Sequence, residues 1–345
     1  MKICLGFTVL DRAWGGGNRA AKIIKEAAEQ MSASVVTSLD SDDIDIIIIF
    51  DPRTRHSNVP FSFMDAIKYR ERINPRCLII QRINECDERK GTLFVNRQLR
   101  AANYYANYTV FVGSWLKDLN LSHRRCANHT VILNGADRSV FFPNQAEASI
   151  GPMGRVKIVT HHWSSNKNKG FDVYKYLDDA FDTEAFASDF QMTYVGNLPA
   201  KFKFRNCSVA EPADGLQLRK ILASHDIYLT ASLFEPGGNH QNEGALCGLP
   251  LVYRRSGCMP EYCDGYGVGF DGPNDVVDAL YELRREFSLY KRRISSYPNH
   301  EGRVKRDWIE LFSQLLESPE SFVLQSESKF KSFLRGLYTR AILWI

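Results

Sequence analysis

The chain has 345 residues, of which 44% are hydrophobic and 24% charged, and its formal net charge at pH 7 is +4. This composition is typical of a globular protein of about two domains, and the charge is too small for its length to indicate a nucleic-acid partner. No apolar stretch is long enough to span a bilayer, and the N-terminal apolar run predicts a buried strand instead of a signal peptide. The eight cysteines lack the spacing of a zinc site, which favours a reducing, cytoplasmic location.

The first part of the chain alternates short apolar runs with helical patterns, as expected for a parallel α/β sheet. The pattern predicts strands near residues 2–7, 44–50, 77–83 and 109–113, and helices near 18–31, 63–72 and 92–106. Residues 46–50 are apolar at every position, so both faces of that strand need cover, as in the centre of a doubly wound sheet.

A glycine-rich loop follows the first predicted strand. Gly15, Gly16 and Gly17 lead into a helix that begins with Asn18 and Arg19, an arrangement that favours an anion or a sugar hydroxyl. Three consecutive glycines fit neither the G-x-G-x-x-G pattern nor a P-loop, so a nicotinamide cofactor is disfavoured. A connection without any ligand is the alternative interpretation.

The alternation stops at residues 144–155, a polar stretch that predicts a linker, and then begins again. Later strands are predicted near residues 156–162, 191–196, 226–232, 250–255 and 267–270. We therefore predict two doubly wound Rossmann-like domains that face a central cleft, with the first domain at 1–148 and the second at 149–300. Residues 301–345 form a C-terminal helical segment.

The loop after the first strand of the second domain carries a candidate phosphate ligand. Lys169 precedes Gly170 in this loop and is placed to neutralise a diphosphate, although lysines in polar loops are usually only solvated. His161 and His162 lie just upstream. A histidine beside an apolar strand is more often a core residue, so neither is assigned a catalytic role.

The segment from Glu235 to Glu243 is the most informative part of the sequence. Gly237 and Gly238 allow a tight turn, and Asn239 is a favourable N-cap for the helix that follows. The first-turn amides and the helix dipole favour a phosphate, while Glu243 is placed to accept hydrogen bonds from ribose hydroxyls and Glu235 remains for the sugar. Strands before and after this segment complete a βαβ unit, in which ligands bind at the carboxyl ends of strands. Simple capping with solvated charge is the alternative.

Together these motifs resemble the retaining glycosyltransferases of the GT-B fold, family 4. The likeness covers residues 1 to about 316, and its motifs occur in the order of that family: the loop Gly15 to Gly17; Asn134-Gly135-Ala136-Asp137 with Phe142-Pro143; Lys169-Gly170; and the E-x7-E element from Glu235 to Glu243.

The resemblance implies transfer of a sugar from a nucleotide-diphosphate donor to an acceptor hydroxyl, with retention at the anomeric carbon. It also implies that neither a metal ion nor a cofactor is needed. By this likeness Lys169 holds the diphosphate, Glu243 the ribose and Glu235 the transferred sugar, while the amides of Gly237 and Gly238 bind phosphate or sugar. The acceptor is expected to be a glycan, a lipid-linked molecule or a small molecule.

Two positions depart from the family pattern. The arginine that many relatives carry shortly before the donor lysine is missing from residues 161–166, and the histidine often found after the fourth strand is replaced by a stretch with Asn84, Glu85 and Asp87. Asp87 is therefore a candidate catalytic partner, with a loop of no catalytic function as the alternative. The same departures leave open a second interpretation, a non-catalytic protein that binds a nucleotide sugar or a glycan. A third, a hexose-nucleotide isomerase on a similar fold, is not supported by any motif in the sequence.

The tail from Lys329 mixes four basic residues with large apolar ones. Two interpretations are equally supported: peripheral contact with an anionic membrane face, or packing against the first domain.

Overall fold

The computed structural model describes residues 1–10, 15–53, 57–144, 154–322, 324 and 329–343. By its internal contacts the chain divides into two compact units, Met1–Leu133 with Gly302–Ile345, and Asn134–Glu301. Each unit contains a six-stranded parallel sheet.

The described residues form twelve strands and fourteen α-helices, which are numbered along the chain. The strands are β1 (Lys2–Leu5), β2 (Ser34–Val36), β3 (Ile46–Ile49), β4 (Leu78–Ile83), β5 (Tyr108–Phe111), β6 (His129–Val131), β7 (Val156–His162), β8 (Phe190–Gly196), β9 (Ser208–Ala210), β10 (Ile227–Thr230), β11 (Leu251–Arg254) and β12 (Gly267–Phe270). The helices are α1 (Gly15–Gln30), α2 (Phe63–Arg72), α3 (Asp87–Lys90), α4 (Val95–Asn103), α5 (Trp115–Asp118), α6 (Phe171–Ala180), α7 (Glu184–Asp189), α8 (Gly215–Leu222), α9 (His240–Leu246), α10 (Met259–Cys263), α11 (Val276–Arg285), α12 (Phe287–Ile294), α13 (Glu301–Glu317) and α14 (Lys329–Leu343).

In the first unit the strand order is β2-β1-β3-β4-β5-β6. The four strands predicted from apolar runs are confirmed as β1, β3, β4 and β5. The edge strands β2 and β6 have only three residues each and were not predicted, because so short a segment carries no readable periodicity.

Strand β3 is covered on both faces, as its uninterrupted apolar sequence predicts. Ile46 and Ile48 pack in one core with helices α1 and α13, to which α13 contributes the fully buried Trp308. Ile47 and Ile49 pack on the opposite face in a second core with α2. The predicted doubly wound arrangement is therefore confirmed for this unit.

The boundary between the units lies between Leu133 and Asn134, earlier than the predicted boundary at residue 148. The physical reason is that Asn134 is bound within the second unit: its Nδ2 donates to Gly237 O at 2.6 Å, and its backbone N–H donates to the Tyr262 hydroxyl at 2.7 Å. Most of the predicted linker at 144–155 lies outside the described residues.

In the second unit the strand order is β12-β11-β10-β7-β8-β9. Five of its strands were predicted, and the short edge strand β9 was not. Strands β7 and β10 are hydrogen-bonded neighbours, with Ile227 in register with Ile158 and Tyr228 with Val159. Since parallel neighbours end at the same edge of a sheet, the loop that contains Lys169 and the loop that contains Glu235 begin side by side.

Helix α14 packs against α4 of the first unit. Gln98 Nε2 donates to Ile342 O at 3.0 Å, Arg97 Nε donates to the Tyr338 hydroxyl at 3.1 Å, and Thr339 is buried. Of the two interpretations of the tail, this contact supports packing on the first unit. Among the described residues, no helix combines the length and apolar character needed to cross a membrane.

Candidate functional site

Two loops at the carboxyl ends of β7 and β10 are fixed to each other. The backbone N–H of Leu233 donates to Asn168 O at 2.7 Å. Gly170 has a φ of +93°, and a Cβ at this position would lie 2.3 Å from Cβ of Ala231. The close approach therefore requires glycine, and it locks the lysine loop against the strand that leads to Glu235.

Lys169 and Glu235 form a buried ion pair across these loops. Lys169 Nζ donates to Glu235 Oε2 at 2.5 Å, and the two side chains are only 11% and 6% exposed. Two charges that have lost their water are stable only when each compensates the other. The structure thus brings together the residue predicted to bind the diphosphate and the residue predicted to bind the sugar, although they are 66 positions apart in sequence.

The turn between Glu235 and α9 is held by backbone and side-chain contacts. Asn134 Nδ2 donates to Gly237 O at 2.6 Å, and Gln241 Nε2 donates to Gly238 O at 2.7 Å. A Cβ on Gly238 would lie 2.6 Å from the ring of His240, so this glycine is required by close packing. Asn134, one of the motif residues singled out in the sequence, thus clamps the glycine turn.

Asn239 precedes α9, but its side chain makes no capping hydrogen bond and its backbone is already helical, with φ −102° and ψ −20°. Asn239 is thus the N-cap residue of α9, as predicted, but it provides no side-chain cap, because a side-chain cap needs an extended backbone at that residue. Three buried atoms of this segment, Ser232 Oγ, Asn239 Oδ1 and Gln241 Oε1, have no hydrogen-bond partner among the described residues. Buried polar atoms of this kind are satisfied by water or by a polar ligand.

Glu243 lies in the first turn of α9 and is held by a histidine of β7. His161 Nε2 lies 2.7 Å from Glu243 Oε2, and His161 Nδ1 lies 3.1 Å from the Tyr228 hydroxyl. All three side chains are buried. The sequence interpretation left His161 without a role, and its only available signal was a polar residue near the carboxyl end of the strand that leads to the lysine loop.

His162 and His240 are buried beside each other, with ring centroids 4.9 Å apart. Burial, and then the charge of Lys169, lowers the pKa of His240 to about 3, and its Nε2 lies 2.8 Å from the Thr230 hydroxyl. Burial also lowers the pKa of His162 well below its usual value, and its Nε2 lies 2.6 Å from the Tyr174 hydroxyl. Both imidazoles are therefore uncharged at neutral pH, which agrees with the interpretation of His162 as a satisfied core residue.

Comparison with known proteins identifies the architecture. No protein-family model and no curated protein matches the chain in sequence. Solved structures with a similar fold include Anabaena HepE in complex with UDP-glucose, at a TM-score of 0.64 and 14% identity over 91% of this chain and 100% of that one. Another is sucrose-phosphate synthase from Thermosynechococcus elongatus, at 0.63 and 13% identity over 92% and 99% of the two chains. The lipopolysaccharide outer core galactosyltransferase WaaB gives 0.59 and 13% over 91% and 100%.

The chain has the GT-B fold. At these sequence identities the similarity shows the fold alone.

The glycine loop of the first GT-B unit is partly described. Gly15, Gly16 and Gly17 form the first turn of α1 instead of the predicted loop before it, and the side chain of Asn18 exchanges two hydrogen bonds of 2.8 Å with the backbone of Leu10. The amide of Asn18 thus ties the first turn of α1 to Leu10, a structural use that the sequence did not predict. Arg19 is half-buried, and the predicted binding of an acceptor or phosphate here stays a prediction.

Asp87 has a structural role in this GT-B chain. Its carboxylate accepts hydrogen bonds from the Thr92 hydroxyl and from the backbone N–H groups of Val95 and Asn96, at 2.5, 2.8 and 3.0 Å. These donors lie in its own loop and in the first turn of α4, so Asp87 caps that helix, and its predicted catalytic role stays a prediction. Among the residues that the structure describes, no cluster of three or more His, Cys, Asp or Glu side chains is arranged to hold a metal ion.

Proposed function

We propose that this protein is a glycosyltransferase that moves a sugar from a nucleotide-diphosphate donor to an acceptor hydroxyl, with retention of anomeric configuration and without a metal ion. The observation that carries the proposal is the buried contact of Lys169 with Glu235, next to Glu243, at the carboxyl edge of one sheet. The GT-B neighbours support it: the structures of HepE contain UDP-glucose, UDP or UDP with glucose.

Lys169 supplies the charge that the leaving group needs. When a diphosphate reaches this loop, the ammonium exchanges one oxygen of Glu235 for phosphate oxygens, and its positive charge stabilises the negative charge that develops as the glycosidic bond breaks. The site is buried, so this interaction is stronger than it would be in water.

Glu235 then accepts hydrogen bonds from hydroxyls of the sugar. A carboxylate in this position also stabilises positive charge on an oxocarbenium-like anomeric carbon. Glu243, fixed by His161, accepts from ribose hydroxyls, and the unsatisfied atoms of Ser232, Asn239 and Gln241 are available to further polar groups of the donor.

The proposal is tested by titrating the purified chain with UDP-glucose and a panel of other nucleotide sugars in a calorimeter. We expect one nucleotide sugar to bind, and Glu243→Gln to weaken that binding at least about tenfold, because hydrogen bonds to a charged group are lost. Glu282→Gln, an exposed carboxylate on α11 of the same unit, is the matched control. Absence of binding, or equal binding by the Glu243 variant, would remove the basis of the assignment.

The engagement of Asp87 as a cap favours a second candidate, a non-catalytic nucleotide-sugar-binding protein of the same fold. The two differ in whether the donor is consumed. Release of nucleoside diphosphate above background in the presence of glycan, lipid-linked or small-molecule acceptors would eliminate the second candidate.

All eight cysteines are free thiols, and seven are buried. This supports, as part of the proposal, a reducing cytoplasmic location for the reaction.

A further inference from the structure

Helix α14 has one face against α4 and another that is exposed and apolar. Thr339 and Ile342 are buried, whereas Leu334, Leu337 and Tyr338 are 49%, 49% and 41% exposed. Large apolar side chains that stay exposed on a packed helix indicate a surface that meets something other than water.

Arginines surround the same helix pair. Arg335 of α14 lies over the ring of Tyr104 at 5.1 Å, and Arg125, in the loop after α5, lies over it at 4.6 Å. Burial, and then the charges of Arg335, Arg100, Arg124 and Arg125, lowers the pKa of His123. Four arginines from three chain segments therefore lie close enough to His123 to disfavour its protonated form.

The net charge of the whole chain is only +4, so these four neighbouring arginines are a local concentration of positive charge. Arg124 and Arg335 are exposed, and Arg97 and Arg340 extend the exposed cations along α4 and α14. We call the surface formed by Leu334, Leu337, Tyr338, Arg124 and Arg335 the basic–apolar face.

We propose that the basic–apolar face binds the surface of an anionic lipid bilayer. A membrane interface accepts leucine and tyrosine side chains at the level of the lipid headgroups, and its negative potential attracts arginines a short distance away. A nucleic acid would use the cations but would leave the leucines in water. The proposal does not depend on the proposed sugar transfer.

The test is sedimentation of the full chain with vesicles. We expect binding to vesicles of phosphatidylcholine with about one third phosphatidylglycerol, and little binding to phosphatidylcholine alone. Raising the salt from about 0.1 M to about 0.5 M should release most of the protein, because screening weakens the attraction of the arginines.

Two sets of variants separate the two components of the face. Arg124→Glu alone should reduce the partition coefficient on anionic vesicles. Arg124→Glu with Arg335→Glu should reduce it by more than about tenfold. Leu334→Ser with Leu337→Ser should reduce it several-fold, since two apolar side chains no longer enter the interface. Among the described residues, the ring contacts near α14 come from Arg125 and Arg335 and not from Arg124, so the single Arg124 variant keeps the test valid if the Arg335 change loosens the helix.

The matched control is Leu216→Ser with Lys220→Glu, which changes one exposed leucine and one exposed cation on α8 of the second unit. This variant should bind as the wild type does, and thermal melting should show that all variants are folded. The proposal is overturned if wild-type protein ignores anionic vesicles, or if the face variants bind as tightly as the control. A dimer in sedimentation velocity that Leu334→Ser with Leu337→Ser dissociates, without vesicle binding, would also overturn it and would identify a second copy as the occupant.

Discussion

His161 Nε2 and Glu243 Oε2 lie 2.7 Å apart, which ties the carboxylate proposed to hold ribose to strand β7. A glutamate in the first turn of a short helix would otherwise sample several rotamers, and the hydrogen bond to the imidazole selects one of them.

We expect His161→Ala to raise the KM for the donor about tenfold or more and to change kcat little, since it removes a hydrogen bond to a charged group that holds substrate. His161→Gln, whose amide can still donate, should recover part of the loss. Steady-state kinetics over a range of donor concentrations makes the measurement. Equal losses of kcat in both variants would contradict a positioning role.

The buried pair predicts a non-additive effect on stability. Lys169→Met should lower the free energy of unfolding by about 3–5 kcal/mol, because it removes the ammonium group that compensates the buried carboxylate of Glu235. Lys169→Met with Glu235→Gln should recover much of that loss. Denaturant titration of the four proteins in a double-mutant cycle measures the coupling.

Lys175→Met is the control for that cycle. It breaks the pair of Lys175 with Asp179 on α6, where both side chains are nearly half exposed, and should change stability little. Comparable losses in Lys169→Met and Lys175→Met would show that burial of the Lys169 pair has no energetic consequence.

Gly170 gives a prediction about backbone geometry. Gly170→Ala combines the strain of a positive φ with a contact of 2.3 Å to Ala231, so it should cost more than about 2 kcal/mol and weaken donor binding. Gly91→Ala has a similar φ of +64° but no atom within 4 Å of the added Cβ, and should cost only about 1 kcal/mol. Thermal melts and donor titration of both variants provide the comparison; similar losses would argue against the tight contact.

His240 predicts how stability depends on pH. Its pKa is about 3 in the folded chain against an ordinary value of 6.5, so between these values the unfolded chain binds more protons and stability falls as pH decreases below about 6.5. Each such group contributes at most about 1.4 kcal/mol per pH unit, and His162 acts in the same direction. His240→Gln should flatten the slope measured by urea denaturation between pH 7 and pH 5, whereas His129→Gln, at an exposed edge position, should not.

The sequence predicted the central parts of both sheets because their strands are long apolar runs. The apolar residues 46–50 predicted a strand that is covered on both faces, and β3 is such a strand. The three-residue edge strands β2, β6 and β9 were missed because they have too few residues to show a pattern.

For the site, the sequence predicted Lys169, Glu235 and Glu243 from their positions in loops and turns that follow predicted strands, and the structure places the first two in contact. It did not predict that His161 holds Glu243, because that contact joins residues 82 positions apart and depends on the rotation of β7 about its axis. It also did not reveal that Asn239 lacks a side-chain cap or that Asp87 caps α4, since hydrogen bonds within a loop depend on backbone torsions that residue spacing does not show.

The neighbouring positions of β7 and β10 have a consequence for folding. Lys169 and Glu235 meet only after two strands about 70 residues apart have paired, so a partly folded second unit has the binding side chains but no binding site. A donor present during refolding would therefore bind only molecules whose sheet is complete and would draw the population towards them by mass action. The rate at which donor affinity recovers during refolding would then report the rate at which this sheet forms.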